Sequence, residues 1–172
     1  MPRIDTGGNT RAFRRAAERV RNAGHVEFRV LGPLEVVDGG QPVDLPRRKH
    51  RALLAALLLH AGEPVSSDRL IEELWGERPP RTARDALQNY VSLVRKALGA
   101  DVLVTRSGSY LLDVSPEQID AALFERLTAE ARATEAADAR VEKLREALAL
   151  WRGPPLADLA YEPFAAVEIA RL

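Results

Sequence analysis

The chain of 172 residues contains no cysteine. That excludes a disulfide framework, a thiolate metal site and a catalytic thiol. Its three histidines, His25, His50 and His60, are scattered without partners at ligand spacing and read as surface or loop residues. No apolar run approaches the ~18–20 residues of a membrane span, and the N-terminus lacks the apolar core of a signal peptide. A soluble cytoplasmic protein with no membrane partner is the expectation. There is no nucleophile paired with a base, no metal-ligand cluster and no phosphate-binding glycine loop. An enzyme is therefore not expected, and neither is a cofactor.

Acid and base balance to a net charge of zero, but they are not mixed evenly. Residues 1–46 carry a net charge of +1, residues 47–112 +4 and residues 113–172 −5. The middle of the chain is thus a candidate polyanion binder and the tail is not.

The most informative stretch is residues 80–114, PRTARDALQNYVSLVRKALGADVLVTRSGSYLLDV. Ala83, Ala86, Leu87, Tyr90, Val91, Val94, Ala97 and Leu98 recur at i, i+3, i+4, i+7, the stripe of one buried helical face. Thr82 with Asp85 suits an N-cap, and Gly99 suits a stop. The opposite face carries Asp85, Gln88, Asn89, Ser92 and Lys96, flanked by Arg84 and Arg95. Tyr110, Leu112 and Val114 then alternate along a hairpin that turns at residues 106–109. Amides and guanidinium groups on one helix face can pair with base edges, while cations neutralise phosphates.

Before this stretch, residues 1–24 read as a basic, disordered arm. From Val26 the pattern is that of strands, with Gly39-Gly40 as a hairpin signal. Pro46 opens a helix with Leu53, Leu54, Leu57 and Leu58 on its core side. Arg47, Arg48, Lys49 and Arg51 crowd its first turns, where cations oppose the helix dipole. Either a phosphate sits there or solvent tolerates the charges. Ser66-Ser67-Asp68 caps a further helix that includes Leu70, Ile71, Leu74 and Trp75 and stops at Gly76. The order is sheet, three helices, hairpin, with a helix-turn-helix inside it.

Phe28-Arg-Val-Leu-Gly-Pro-Leu-Glu-Val36, Pro46-Arg-Arg-Lys-His-Arg-Ala-Leu-Leu-Ala55, Val65-Ser-Ser-Asp-Arg-Leu-Ile71, Leu74-Trp-Gly76, Leu87-Gln-Asn-Tyr-Val-Ser92 and Arg95-Lys-Ala-Leu-Gly99 together resemble a known type. Residues 25–115 are similar to an OmpR/PhoB-type winged-helix DNA-binding domain, and within that type to the Streptomyces antibiotic regulatory protein (SARP) family of transcriptional activators. The fold implied is α+β: an N-terminal antiparallel sheet, three helices and a C-terminal β-hairpin wing. The resemblance implies a promoter-binding activator that recognises tandem direct repeats. Its third helix would enter the major groove of double-stranded DNA and its wing the minor groove. Carried onto this chain, Arg84, Gln88, Asn89 and Ser92 would read bases. Arg47, Arg48, Lys49, Arg51, Arg81, Arg95 and Lys96 would hold phosphates, and Arg106 would be the wing contact. Two positions depart from the pattern: Leu93 stands where a basic residue is usual, and Gly108-Ser109-Tyr110 replaces Pro-Gly-Tyr at the wing.

Residues 116–172 shift to Ala, Glu and Leu. Asp120 is expected to cap a helix with Leu123, Phe124, Leu127 and Ala131 inward. A second, over about 136–151, would place Val141, Leu144, Leu148 and Trp151 on one side. A third would begin near Pro163 with Phe164 and Val167 inward. The pair is about one tetratricopeptide-like unit. The segment Trp151-Arg-Gly-Pro-Pro-Leu156 resembles the start of a bacterial transcriptional activator domain, which is all-α and here is expected to be incomplete. That resemblance implies RNA polymerase as a partner and a dimer on DNA. The alternative is a protein-interaction module that does not bind DNA.

Overall fold

The computed structural model describes residues 26–165 and Ile169. The expected N-terminal arm, His25 and Val167 lie outside the described residues. Three strands come first: β1 (Val26–Arg29), β2 (Glu35–Asp38) and β3 (Gln41–Pro42) form an antiparallel sheet in that order. Gly39 and Gly40 have φ of 55° and 81°, and Asp38 pairs with Gln41 across them. This is the two-residue turn with positive φ at both centres, which matches the twist of the strands it joins.

Helix α1 (Arg48–Leu59) is buried continuously from Ala52 to Leu58. From Ala52 onward its Ala and Leu content supports helix and leaves no polar face to solvate, so this part forms the centre of the core. Strand β4 (Pro64–Ser66) leads into α2 (Ser67–Trp75). The Ser66 hydroxyl accepts from Arg69 N at 3.2 Å, and Gly76 closes the helix with φ 65° and an N–H to Glu72 O at 2.7 Å. Helix α3 (Ala83–Leu98) buries Ala83, Leu87, Val91 and Val94 against α1 and α2, as its spacing predicts. Thr82 corrects the expectation of a side-chain cap. Its backbone is near helical (φ −92°, ψ 14°), because the chain enters through a turn in which Ala83 N donates to Pro80 O, and the hydroxyl bonds no helix amide. Strands β5 (Leu103–Arg106) and β6 (Ser109–Leu112) form the hairpin, and β6 also pairs with β4.

A 3₁₀ turn (Pro116–Gln118) joins this unit to the helices α4 (Asp120–Ala133) and α5 (Ala137–Ala149), which pack as an antiparallel pair. One expectation is corrected here. Ile119 occupies the cap position of α4, one residue before Asp120. The Asp120 carboxylate instead accepts from Val30 N at 2.7 Å and Leu31 N at 3.0 Å. Val141, Leu144 and Leu148 are exposed, Leu148 to 65%, whereas Ala147 is buried. Ala147 is the residue of α5 that is buried, and its large apolar side chains stay substantially open to solvent.

The carbonyls of the same strand end are also used: Arg152 N donates to Leu31 O at 2.8 Å and Leu156 N to Val30 O at 3.0 Å. All four backbone groups of Val30 and Leu31 are therefore held by residues 120–156. Leu156, Leu159, Phe164 and Ala165 extend the apolar core of the winged helix, so the two regions share one core. Burial pushes the Asp120 carboxyl above the usual range, with the two amides and Arg152 pulling the other way.

Gly32 marks how closely the regions approach. At its φ of 153°, an added Cβ would lie 2.9 Å from Arg152 Cβ. Gly32→Ala is expected to lower the unfolding free energy by about 1–3 kcal/mol, through backbone strain and a clash that no rotamer relieves. A urea midpoint unchanged from wild type would refute this.

His50, expected at the surface, is buried in α1 with its ring edge-on to Tyr90 at 5.1 Å, and its Nε2 has no hydrogen-bond partner among the described residues. Burial, with the Arg47 charge beside it, lowers its pKa. The folded state thus keeps His50 neutral where the unfolded chain takes up a proton below about pH 6.5. Stability is full above that pH and falls as the pH drops toward the folded value. His50→Phe is expected to flatten this dependence between pH 7 and 5, measured as urea midpoints. An equal slope in both proteins would assign it to other groups.

Candidate nucleic-acid interface

Helix α3 has one face in the core, so its other face is fixed in orientation. Arg84, Asp85, Gln88, Asn89, Ser92 and Lys96 are all exposed there. These include the four residues expected to read bases. Arg84 Nη2 meets Asp68 Oδ1 at 2.6 Å, but the side chains are 71% and 78% exposed. A pair this solvated contributes about 0–1 kcal/mol and yields easily to a phosphate or a base. The Ser92 hydroxyl donates to Gln88 O at 2.9 Å, leaving its lone pairs as acceptors. Leu93 is also exposed, beside this face.

The hairpin is tied to the helices at both ends. Arg95 Nε donates to Leu103 O at 2.6 Å and its Nη2 to Thr105 Oγ1 at 2.6 Å. Arg95, expected on a phosphate, therefore braces β5 against α3. At the turn, the Ser67 N–H and hydroxyl both donate to Gly108 O, at 3.1 Å and 2.7 Å. In the sequence, Ser67 shows only a part in capping α2. Nothing local shows that it holds a turn 41 residues away. Ser107 and Gly108, at φ 44° and 82°, form that turn, and Arg106 is exposed beside it. Moving the turn glycine from its usual place has kept a tight hairpin.

The cations of α1 have a different setting. Arg48 Nε lies 2.8 Å from Glu162 Oε1 and Lys49 Nζ 2.8 Å from Glu162 Oε2. Arg51 contacts Asp158 Oδ2 through Nε at 2.9 Å and Nη2 at 2.5 Å, and its Nη2 also donates to Leu34 O at 2.5 Å. The sequence left a phosphate or solvent as the choice for these groups. The structure supplies carboxylates of the same chain, which offset the cations that the α1 dipole disfavours. Arg47 and Arg81 are exposed, like Lys96. Among the described residues there is no group of three or more His, Asp or Glu placed to hold a metal ion, and no helix is long and apolar enough to cross a membrane.

Residues 40–112 match the family model described as "Transcriptional regulatory protein, C terminal", and residues 119–172 the one described as "Bacterial transcriptional activator domain". Regulatory protein DnrI of Streptomyces peucetius is 40% identical over 161 residues, covering 86% of this chain and 59% of DnrI. Regulatory protein AfsR of Streptomyces griseus is 36% identical over 137 residues, covering 78% of this chain and 14% of AfsR. Among solved structures, Mycobacterium tuberculosis EmbR in complex with a low-affinity phosphopeptide superposes with a TM-score of 0.81 at 33% identity, covering 86% of this chain and 41% of EmbR. The chain thus spans 59% or less of each of these relatives. With a winged helix and a helical activator-domain region sharing one core, and with these relatives, the chain belongs to the Streptomyces antibiotic regulatory protein (SARP) family of transcriptional regulators.

Proposed function

We propose that the chain binds double-stranded promoter DNA sequence-specifically and activates transcription, with α3 in the major groove and the β5–β6 wing in the adjacent minor groove. One observation carries the reading. Gln88 and Asn89 project from a helix whose opposite face is core, beside a hairpin clamped by Arg95 and Ser67. Arg84 and Ser92 complete the base-reading set. Arg47, Arg81 and Lys96 are the phosphate contacts this arrangement favours, with Arg106 reaching along the minor groove. Arg48, Lys49, Arg51 and Arg95 already have partners within the fold, so a phosphate would have to compete for them. Protomers would lie head-to-tail on tandem direct repeats about one helical turn apart, roughly 10–11 bp. The helical region would face partners, RNA polymerase among them.

The test is titration against labelled duplexes carrying such repeats and against scrambled duplexes, at several salt concentrations. Preference for the repeats, with affinity falling steeply as salt rises, is the expected result. Equal weak binding to both leaves only non-specific electrostatics. The competing reading, an interaction module without DNA binding, draws on the exposed stripe of Val141, Leu144 and Leu148 on α5. Salt-independent failure to bind any duplex would favour it.

A further inference from the structure

Glu162 is only 5% exposed, although it carries a charge. Both its oxygens are taken, one by Arg48 and one by Lys49. A buried ion pair is weak support for stability, because apolar residues of the same volume often do as well. Its position relative to the reading helix is more informative. The Lys49 ammonium also donates to Leu74 O at 2.5 Å and lies 5.8 Å from the centre of the Trp75 ring. Leu74 and Trp75 end α2, where carbonyls lack helical partners and a cation suits the dipole. Gly76 follows and starts the turn into α3. The Pro163 ring lies against it, 3.7 Å from where a Gly76 Cβ would be. Trp75 in turn stacks on Tyr90 of α3, with centroids 6.0 Å apart and planes 20° apart. The contacts are continuous from residues 162–163 to α3.

We propose that Glu162 is a positioning residue for the reading helix. It holds Lys49 on the C-terminus of α2 and, with Pro163 against Gly76, fixes the turn over residues 76–82, so that the helical region sets how α3 is presented. The last step rests on the DNA-binding reading, and the mechanical step does not.

The experiment uses the full chain as wild type, Glu162→Gln, Pro163→Ala and, as a control inside the helical region, Glu130→Gln. Glu130 pairs with Lys143 and Arg126, remote in sequence from the turn. Amide hydrogen exchange is followed by mass spectrometry, and affinity is measured on the repeat-bearing duplex across salt. Glu162→Gln is expected to speed exchange over residues 76–83 by about tenfold or more while α1 stays protected. It is expected to weaken duplex binding about 5–20-fold with an unchanged salt slope, because no phosphate contact is lost. Pro163→Ala should act in the same direction but less, and it carries the test if Glu162→Gln does not fold. Glu130→Gln should change neither readout. Unchanged exchange over 76–83 in both variants overturns the proposal. So does tighter binding with a steeper salt slope in Glu162→Gln, which would make the carboxylate a shield over phosphate-binding cations. If the wild type binds neither duplex, the DNA-binding reading fails and exchange alone still decides whether Glu162 holds the turn.

Discussion

Asp120→Ala is expected to lower the unfolding free energy by about 2–5 kcal/mol. The carboxylate serves two buried backbone amides at once, Val30 N at 2.7 Å and Leu31 N at 3.0 Å. Alanine leaves both donors without an acceptor, and neither can turn to water without opening the contact with residues 152–156. Asp120→Asn keeps one acceptor but aims an NH₂ group at the other N–H, so about half the loss is expected. The two tryptophans of the chain allow a finer test, since Trp75 lies in the winged helix and Trp151 in the helical region. In the wild type, one shared core predicts that both report the same urea transition. In Asp120→Ala the Trp151 signal should move first. Acid adds a third readout. Since burial raises the folded-state pKa, the proton's contribution to stability is full below the unfolded value of about 3.9. It is lost as the pH rises through the folded value and is constant above it. Asp120→Ala should lack that component. A change under about 0.5 kcal/mol with coincident transitions would mean that the strand end is held by its carbonyl bonds alone.

Asp120 also shows where sequence reading stops. Its partners are 90 and 89 residues away, and a helix-start signal is all that a local window contains. The same holds for Lys49 and Glu162, 113 residues apart: a crowd of cations at a helix start shows that something must compensate them, but not what. What was legible was what periodicity and turn chemistry encode. The α3 stripe, the Gly39-Gly40 turn and the capping of α2 by Ser66 are all local, and all stand in the structure. On α5, periodicity shows that Val141, Leu144 and Leu148 share a face but cannot tell which face meets α4. The small residue Ala147 faces inward instead, because close helix packing selects size as well as hydropathy. The outward face of α3 was equally legible. The division among its cations was not, because Arg95 and Lys96 are neighbours in sequence and only the hairpin distinguishes them.

Gln88→Ala and Asn89→Ala are each expected to reduce the preference for the repeat-bearing duplex over a scrambled one by about 5–150-fold, the worth of one good bidentate base contact. Glutamine and asparagine suit adenine, which offers a donor and an acceptor side by side in the major groove. Successive helical residues are about 100° apart, so the two amides address different base pairs and their losses should be roughly additive. Folding should be almost unaffected. Both side chains are exposed, alanine is the better helix former, and the Ser92 hydroxyl bonds the backbone carbonyl at 88, which alanine retains. Lys96→Gln supplies the contrast. A lost phosphate contact should weaken binding to both duplexes alike and lower the salt slope by about 0.9, whereas a lost base contact should alter preference at constant slope. If the two amide variants instead weaken both duplexes equally, α3 contributes only affinity. Specificity would then have to come from the wing or from the deformability of the DNA, and Arg106→Ala would become the variant that removes it.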